Sequence, residues 1–209
     1  TLLFWFKEYC NKNPDKKIKL VMHTDPNDPY GTDLDSIVKE LRAESDIMIS
    51  REKISQQNLA LLYSGATATI NISDAEGFGL STLESLSCET PIIVNMTGGL
   101  QEQVKGEDFD YGIPIEPSSK CIIGSQQVPY IYEDRISKED FYKALDSWLD
   151  KTEEEKRTIG KAGREHVLKN YNINNNALEW DKLLAESNQV NGSWSERKNY
   201  SSIRFKEIT

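Results

Sequence analysis

Two glutamates, Glu76 and Glu84, flank a Gly77-Phe78-Gly79 loop, with seven residues separating the two acids. Residue types in that order suit a ligand carrying both hydroxyls and phosphates. A glycine loop that opens a helix offers backbone N–H groups and the positive end of a dipole, which attract an anion. Glycines at 77 and 79 let the ligand come close to the main chain. Carboxylates accept hydrogen bonds from neutral hydroxyls, so one acid suits a ribose and the other a sugar, with a diphosphate between them. Each feature alone is weak, because loop acids and helix acids are ordinarily solvated and a lone Gly-x-Gly is common. In combination with the Pro91 strand and Gly98-Gly99 downstream, they point to a nucleotide-sugar site.

These residues need a strand ending near Ile72 and a helix starting near Leu80. Helical geometry sets Leu80, Leu83 and Ser87 on one stripe with Glu84 on its flank, leaning back toward the loop. Around this junction, short apolar runs alternate with amphipathic stretches. Strands are expected at Ile18–Met22, Ile47–Ile49, Thr67–Ile72, Pro91–Asn95 and Tyr111–Ile115. Helices are expected at Leu2–Cys10, Leu34–Leu41, Ser55–Tyr63 and Leu80–Ser87. Strand-helix alternation of this kind builds an α/β fold, here a Rossmann-like three-layer parallel sheet flanked by helices. Ligands bind such sheets at their carboxyl edge, where the glycine loop falls. Residues 106–134, with three prolines, read as a long connection. Beyond it, Ser137-Lys-Glu-Asp140 and Thr152-Glu-Glu-Glu155 are capping boxes that open extra C-terminal helices, the last running from Ile173 to Ala185. The expected organisation is a domain over 1–185 and a polar tail or linker over 186–209.

Composition narrows the function classes. A net charge of -9 excludes a nucleic-acid partner, which demands clustered Lys and Arg. Cys10, Cys88 and Cys121 are odd in number and far apart, so they form neither a disulfide framework nor a metal site, and a reducing, cytoplasmic setting is expected. The apolar run Leu2–Phe6 is far too short to span a bilayer and reads as core. The chain opens at Thr1 directly into that run, so it is expected to be a fragment entered mid-helix. His23 and His166 stand apart without ligand-spaced partners and read as structural, and Cys88 has no histidine to activate it.

Glu76-Gly-Phe-Gly-Leu80 with Glu84, followed by Glu89-Thr-Pro-Ile-Ile-Val94 and Gly98-Gly99, resembles the paired-glutamate signature of the family-four retaining glycosyltransferases. The resemblance covers about Ile18 to Val104 and is most specific in its central part. It implies the C-terminal, donor-binding half of a GT-B architecture, a nucleotide-diphosphate sugar as donor substrate, transfer with retention, and no obligatory metal or other cofactor. By position, it implies that Glu76 is the catalytic-site acid contacting the donor sugar. Gly77, Phe78, Gly79 and Leu80 would serve sugar and phosphates through their backbone, and Glu84 would bind the ribose diol. The loop after the third strand packs on the base in this family, a place taken here by Arg51 to Ile54, with Lys53 and Ile54 the named candidates. Implied partners are an unknown acceptor (glycan, lipid or protein) and an N-terminal domain of the same protein. Family members also carry an Arg and a Lys upstream of the helix that opens here at Thr1, and no such pair is present. Sugar epimerases and phosphorylases of the same architecture are disfavoured by the wording of the loop. The alternative of a different class is a catalytically inactive GT-B-like module kept for binding or assembly.

Overall fold

The computed structural model describes residues 1–29 and 31–198. Internal contacts divide the chain into a unit of Thr1–Arg164 and a unit of Glu165–Thr209. The first unit begins with α1 (Leu2–Lys12), β1 (Leu20–His23), α2 (Leu34–Glu40), β2 (Ile47–Ser50) and α3 (Gln56–Gly65). It continues with β3 (Thr69–Asn71), α4 (Leu80–Ser87), β4 (Ile92–Asn95), α5 (Leu100–Val104) and β5 (Gly112–Ile115). A helix between successive strands returns the chain to the same end of the sheet, so these strands run parallel. Leu20 lies opposite Ile47 in the β1–β2 ladder. In the second ladder β4 is central, with Ile92 between Thr69 and Gly112. That position explains its unbroken apolar run, since all four β4 residues are buried.

The parallel α/β fold read from the sequence is present, with the strands hydrogen-bonded as two ladders. One core joins them: Leu20 and Ile47 from the first ladder pack in the same cluster as Ile93 and Ile115 from the second, with Phe6, Phe141 and Trp148. Leu3, Phe6 and Tyr9 form the buried face of α1, and Trp5 lies 5.8 Å from Phe141 between ring centroids. The run at the start of the chain is therefore core through Leu3, Trp5 and Phe6, whereas Phe4, expected to be core as well, lies on the outer face of α1 and is 52% exposed.

The connection expected over 106–134 holds an antiparallel hairpin, β6 (Ser119–Ile123) with β7 (Ile131–Arg135). Most of its residues are exposed on both faces, including Ile122, Tyr130 and Tyr132. No alternation of buried and exposed positions therefore marked it as a sheet. Next comes α6 (Lys138–Leu149), where Ser137 Oγ accepts from the Asp140 N–H at 3.0 Å. The helix α7 (Glu153–Asn170) opens with a reciprocal capping box. Thr152 Oγ1 accepts from the Glu155 N–H at 3.2 Å, and the Thr152 N–H donates to Glu155 Oε2 at 2.7 Å.

The second unit contains α8 (Ile173–Asn191), capped by the Asn172 side chain. This helix passes Glu186, so the polar tail expected from 186 begins later. Nothing in Ser187–Asn191 breaks a helix, and Gly192 with φ 76° ends it. Part of the tail, residues 199–209, lies outside the described residues. Among the described residues no helix is long and apolar enough to cross a membrane.

Candidate functional site

The site is built from the carboxyl end of β3 into the start of α4. Asn71 closes the strand, and its Oδ1 accepts from the Ser73 N–H at 3.0 Å and the Ser73 hydroxyl at 2.7 Å. Its amide nitrogen lies 3.5 Å from Glu76 Oε2. The chain then enters the glycine loop. Gly79 has φ 86°, and a Cβ there would stand 2.6 Å from Leu100 Cδ2 and 2.7 Å from Thr82 Oγ1. Only glycine fits that position.

Three successive carbonyls of the loop are tied to neighbouring protein groups. The Gly99 N–H donates to the Gly77 oxygen at 3.0 Å. Gln103 Nε2, from the buried face of α5, donates to the Phe78 oxygen at 2.6 Å and to the Gly79 oxygen at 3.1 Å. Thr82 Oγ1 lies 2.8 Å from the Gly79 oxygen and 2.6 Å from Gln103 Oε1. Both Gln103 and Thr82 are fully buried. In a planar trans peptide the C=O and the following N–H point in opposite directions. Carbonyls held against buried Gln103 at 78 and 79 therefore turn the N–H groups of Gly79 and Leu80 away from the interior. Gly79 and Leu80 also belong to the opening of α4, where backbone N–H groups have no intrahelical acceptor. The result is a row of outward donors at the positive end of a helix, the geometry of a phosphate cradle.

Gly98 and Gly99 buttress this row. Gly98 has φ 49°, and a Cβ on it would overlap the Glu76 carbonyl. At Gly99 a Cβ would lie 2.6 Å from the Phe78 oxygen. The glycine pair lets the turn before α5 lie directly against the loop.

The face of α4 differs from the sequence expectation. Its buried stripe runs through Thr82, Ser85 and Leu86, whereas Leu80 is 69% exposed. Contacts with Thr69, Thr90 and Gln103 recruit Thr82 and Ser85 inward, a preference that apolar periodicity does not register. Glu84 is exposed on the outer side, where the half-buried Tyr63 hydroxyl donates to Glu84 Oε2 at 3.1 Å. Burial and the neighbouring Glu84 carboxylate push the Tyr63 phenol well above its ordinary value. Glu76 is half-buried and Phe78 exposed.

Glu76, Gly77, Phe78, Gly79, Leu80 and Glu84 thus share the one strand-to-helix junction. Lys53 and Ile54 lie on the loop that follows β2, a strand of the other parallel ladder; Lys53 is exposed and Ile54 half-buried. Arg51 is engaged with Asp35 through two bonds of 2.7 and 2.6 Å. His23 Nδ1 lies 3.0 Å from Ser50 Oγ, a strand-end contact in keeping with a structural role. Burial raises the Cys88 thiol, the opposite of an activated nucleophile.

Sequence reasoning missed Tyr63, Gln103 and Arg135. Arg135 joins Asn71, Ser73, Asp74 and Trp5 around a cavity of about 510 Å³ beside the loop. It sits there because the hairpin base is stitched to the loop. The Asp134 N–H donates to the Asp74 oxygen at 2.7 Å, and the buried Asn95 amide donates to the Ser73 and Asp134 oxygens at 2.8 and 2.5 Å. These partners are 22 to 39 residues from Asn95 in sequence, so no local pattern announces them.

The family model for glycosyl transferases group 1 matches residues 11–166, which contain the whole loop and its supports. The chain belongs to this family. It is 33% identical over 109 residues to a D-inositol 3-phosphate glycosyltransferase of Frankia alni, covering 49% of this chain and 26% of that protein. Its fold is similar to that of Anabaena HepE, solved in complex with UDP, with a TM-score of 0.63 at 12% identity, over 88% of this chain and 44% of that one. It is also similar to the C-terminal domain of a group 1 glycosyl transferase (LpcC) from Francisella tularensis. That match has a TM-score of 0.54 and 19% identity, and covers 81% of this chain and 78% of the domain. The group 1 chain described here therefore has the fold of GT-B glycosyltransferases and spans about a quarter of the curated relative's length.

Proposed function

We propose that this chain is the donor-binding half of a retaining glycosyltransferase that transfers a sugar from a nucleotide diphosphate to a hydroxyl acceptor. The observation that supports it most is the pinning of the Gly77, Phe78 and Gly79 carbonyls, the last two by buried Gln103. That arrangement prepays the ordering of a diphosphate cradle. Glu84 receives the ribose diol, and Glu76 receives hydroxyls of the sugar. As the bond from the anomeric carbon to the phosphate oxygen breaks, negative charge grows on the departing diphosphate. The outward N–H groups and the α4 dipole stabilise that charge, the kind of preorganised electrostatics that dominates such transfers. The acceptor oxygen then bonds the anomeric carbon on the face the diphosphate leaves, and its proton passes to the diphosphate. The remaining half of the protein supplies the acceptor side. No metal is assigned a step, and a cytoplasmic setting follows from the unpaired cysteines in this reading.

Thermal-shift and calorimetric titration with UDP, GDP, ADP and their sugars tests the proposal. A ligand at 100 times its dissociation constant stabilises the fold by about 2.7 kcal/mol. Stabilisation by one nucleotide, lost in Glu84→Ala, is the expected result. Equal indifference to all three nucleotides would refute the donor reading and leave a non-catalytic family member.

A further inference from the structure

Glu84 stands on the exposed side of α4, where a glutamate ordinarily samples several rotamers, and one neighbour holds it. The Tyr63 hydroxyl donates to Glu84 Oε2 at 3.1 Å from the adjacent helix α3. Tyr63 is itself fixed. Its carbonyl accepts from the Thr90 hydroxyl at 2.8 Å and from the Ala66 N–H at 2.9 Å, and Thr90 is 2% exposed at the entrance to β4. The backbone that carries the phenol is thus tied to the start of β4, through contacts outside the glycine loop. We infer that Tyr63 is a positioning residue for ribose recognition: its hydroxyl orients the Glu84 carboxylate so that it accepts from both hydroxyls of a vicinal diol.

This inference rests on the donor-site reading and adds a specificity device to it. A carboxylate has about four acceptor directions on its two oxygens. Tyr63 occupies one on Oε2, leaving Oε1 and the other direction of Oε2 for two neighbouring hydroxyls. Burial and Glu84 hold the phenol in its protonated form, so it remains a donor. Ordering a glutamate side chain is entropically costly, and a tyrosine that does so in advance favours a ligand able to use both free positions. A ligand with one hydroxyl gains little from the arrangement.

The test compares UDP, GDP and ADP with their 2′-deoxy counterparts by isothermal titration calorimetry, using the intact chain, Tyr63→Phe, Glu84→Gln and the double variant. For the nucleotide that binds, removing the hydroxyl of Tyr63 is expected to weaken the ribose form by about five- to tenfold, the scale of one ordinary net hydrogen bond. The deoxy form should change by less than about twofold, because it lacks the second hydroxyl that the oriented carboxylate would engage. Adding Tyr63→Phe to Glu84→Gln should lower the ribose-to-deoxyribose ratio less than in the wild-type background, as expected for residues acting through one another. A purely structural tyrosine would weaken both forms equally, so an unchanged ratio in Tyr63→Phe overturns the inference. Binding of the nucleotide with that unchanged ratio leaves the donor site standing. Absence of binding by every nucleotide overturns the donor reading and this inference with it.

Discussion

Replacing Gln103 by methionine isolates what the buried clamp does for the glycine loop. Methionine keeps the length of the side chain and removes both polar ends. The Gly79 oxygen retains other donors, Thr82 Oγ1 at 2.8 Å and the Leu83 N–H at 3.2 Å, and the Thr82 hydroxyl can still donate to it. The Phe78 oxygen loses its 2.6 Å partner. Leaving this part-buried acceptor without its donor costs about 1 kcal/mol, the low end of the range for a fully buried group. For a domain of this size each kcal/mol moves the melting temperature by about 2–4 °C, so a fall of about 3 °C is the central expectation. The freed Phe78-Gly79 peptide also no longer holds its N–H outward, so nucleoside diphosphate affinity should fall by about tenfold, equivalent to about 1.4 kcal/mol. Differential scanning fluorimetry and calorimetric titration read the two effects on one preparation. A variant that melts within about 1 °C of wild type and binds with unchanged affinity refutes the argument that Gln103 orients the loop.

Glycines in and beside the loop should separate by role. Gly98→Ala would place its Cβ on the Glu76 carbonyl at a positive φ, so purified protein should be unfolded or strongly destabilised by circular dichroism. Gly77→Ala meets no atom within 4 Å, so it should fold normally and lose nucleotide affinity through its methyl in the ligand's path; normal binding there would place the ligand elsewhere. Acid stability has a named contributor in Glu8, whose carboxyl is lowered from 4.5 to about 2 by hydrogen bonds from Lys12 and Lys138. A lowered acid stabilises the fold fully above its ordinary value and loses that contribution as pH falls from 4.5 toward 2. Glu8→Gln should therefore flatten the pH dependence of unfolding in that window, measured by urea titration at stepped pH, and a slope equal to wild type would remove Glu8 from the account.

The parallel α/β fold was legible because burial imposes it on local pattern. Ile92 to Asn95 read as a buried strand since the centre of a parallel sheet excludes water on both faces. Helix starts at Ser137 and Thr152 were legible for a different reason, because a cap is satisfied within three residues of sequence. The glycine loop and its two glutamates were legible as a group, since positive φ and close ligand approach restrict residue type position by position. Its supports were not. Gln103, Asn95 and Tyr63 act through partners 21 to 39 residues away, on side chains that lack periodicity or motif, and Arg135 is bonded to nearby Glu133 but reaches the cavity only because the hairpin folds back on Asp74. The hairpin stayed hidden because both of its faces are largely exposed, and the inward face of α4 because hydroxyls rather than apolar groups fill it. The chain by itself thus determined the parallel strands, most of the helices and the grouping of the glycine loop with its two glutamates, because those signals are local. Only the tertiary structure decided which way the loop's donors point, because that direction is set by carbonyl partners from elsewhere in the fold.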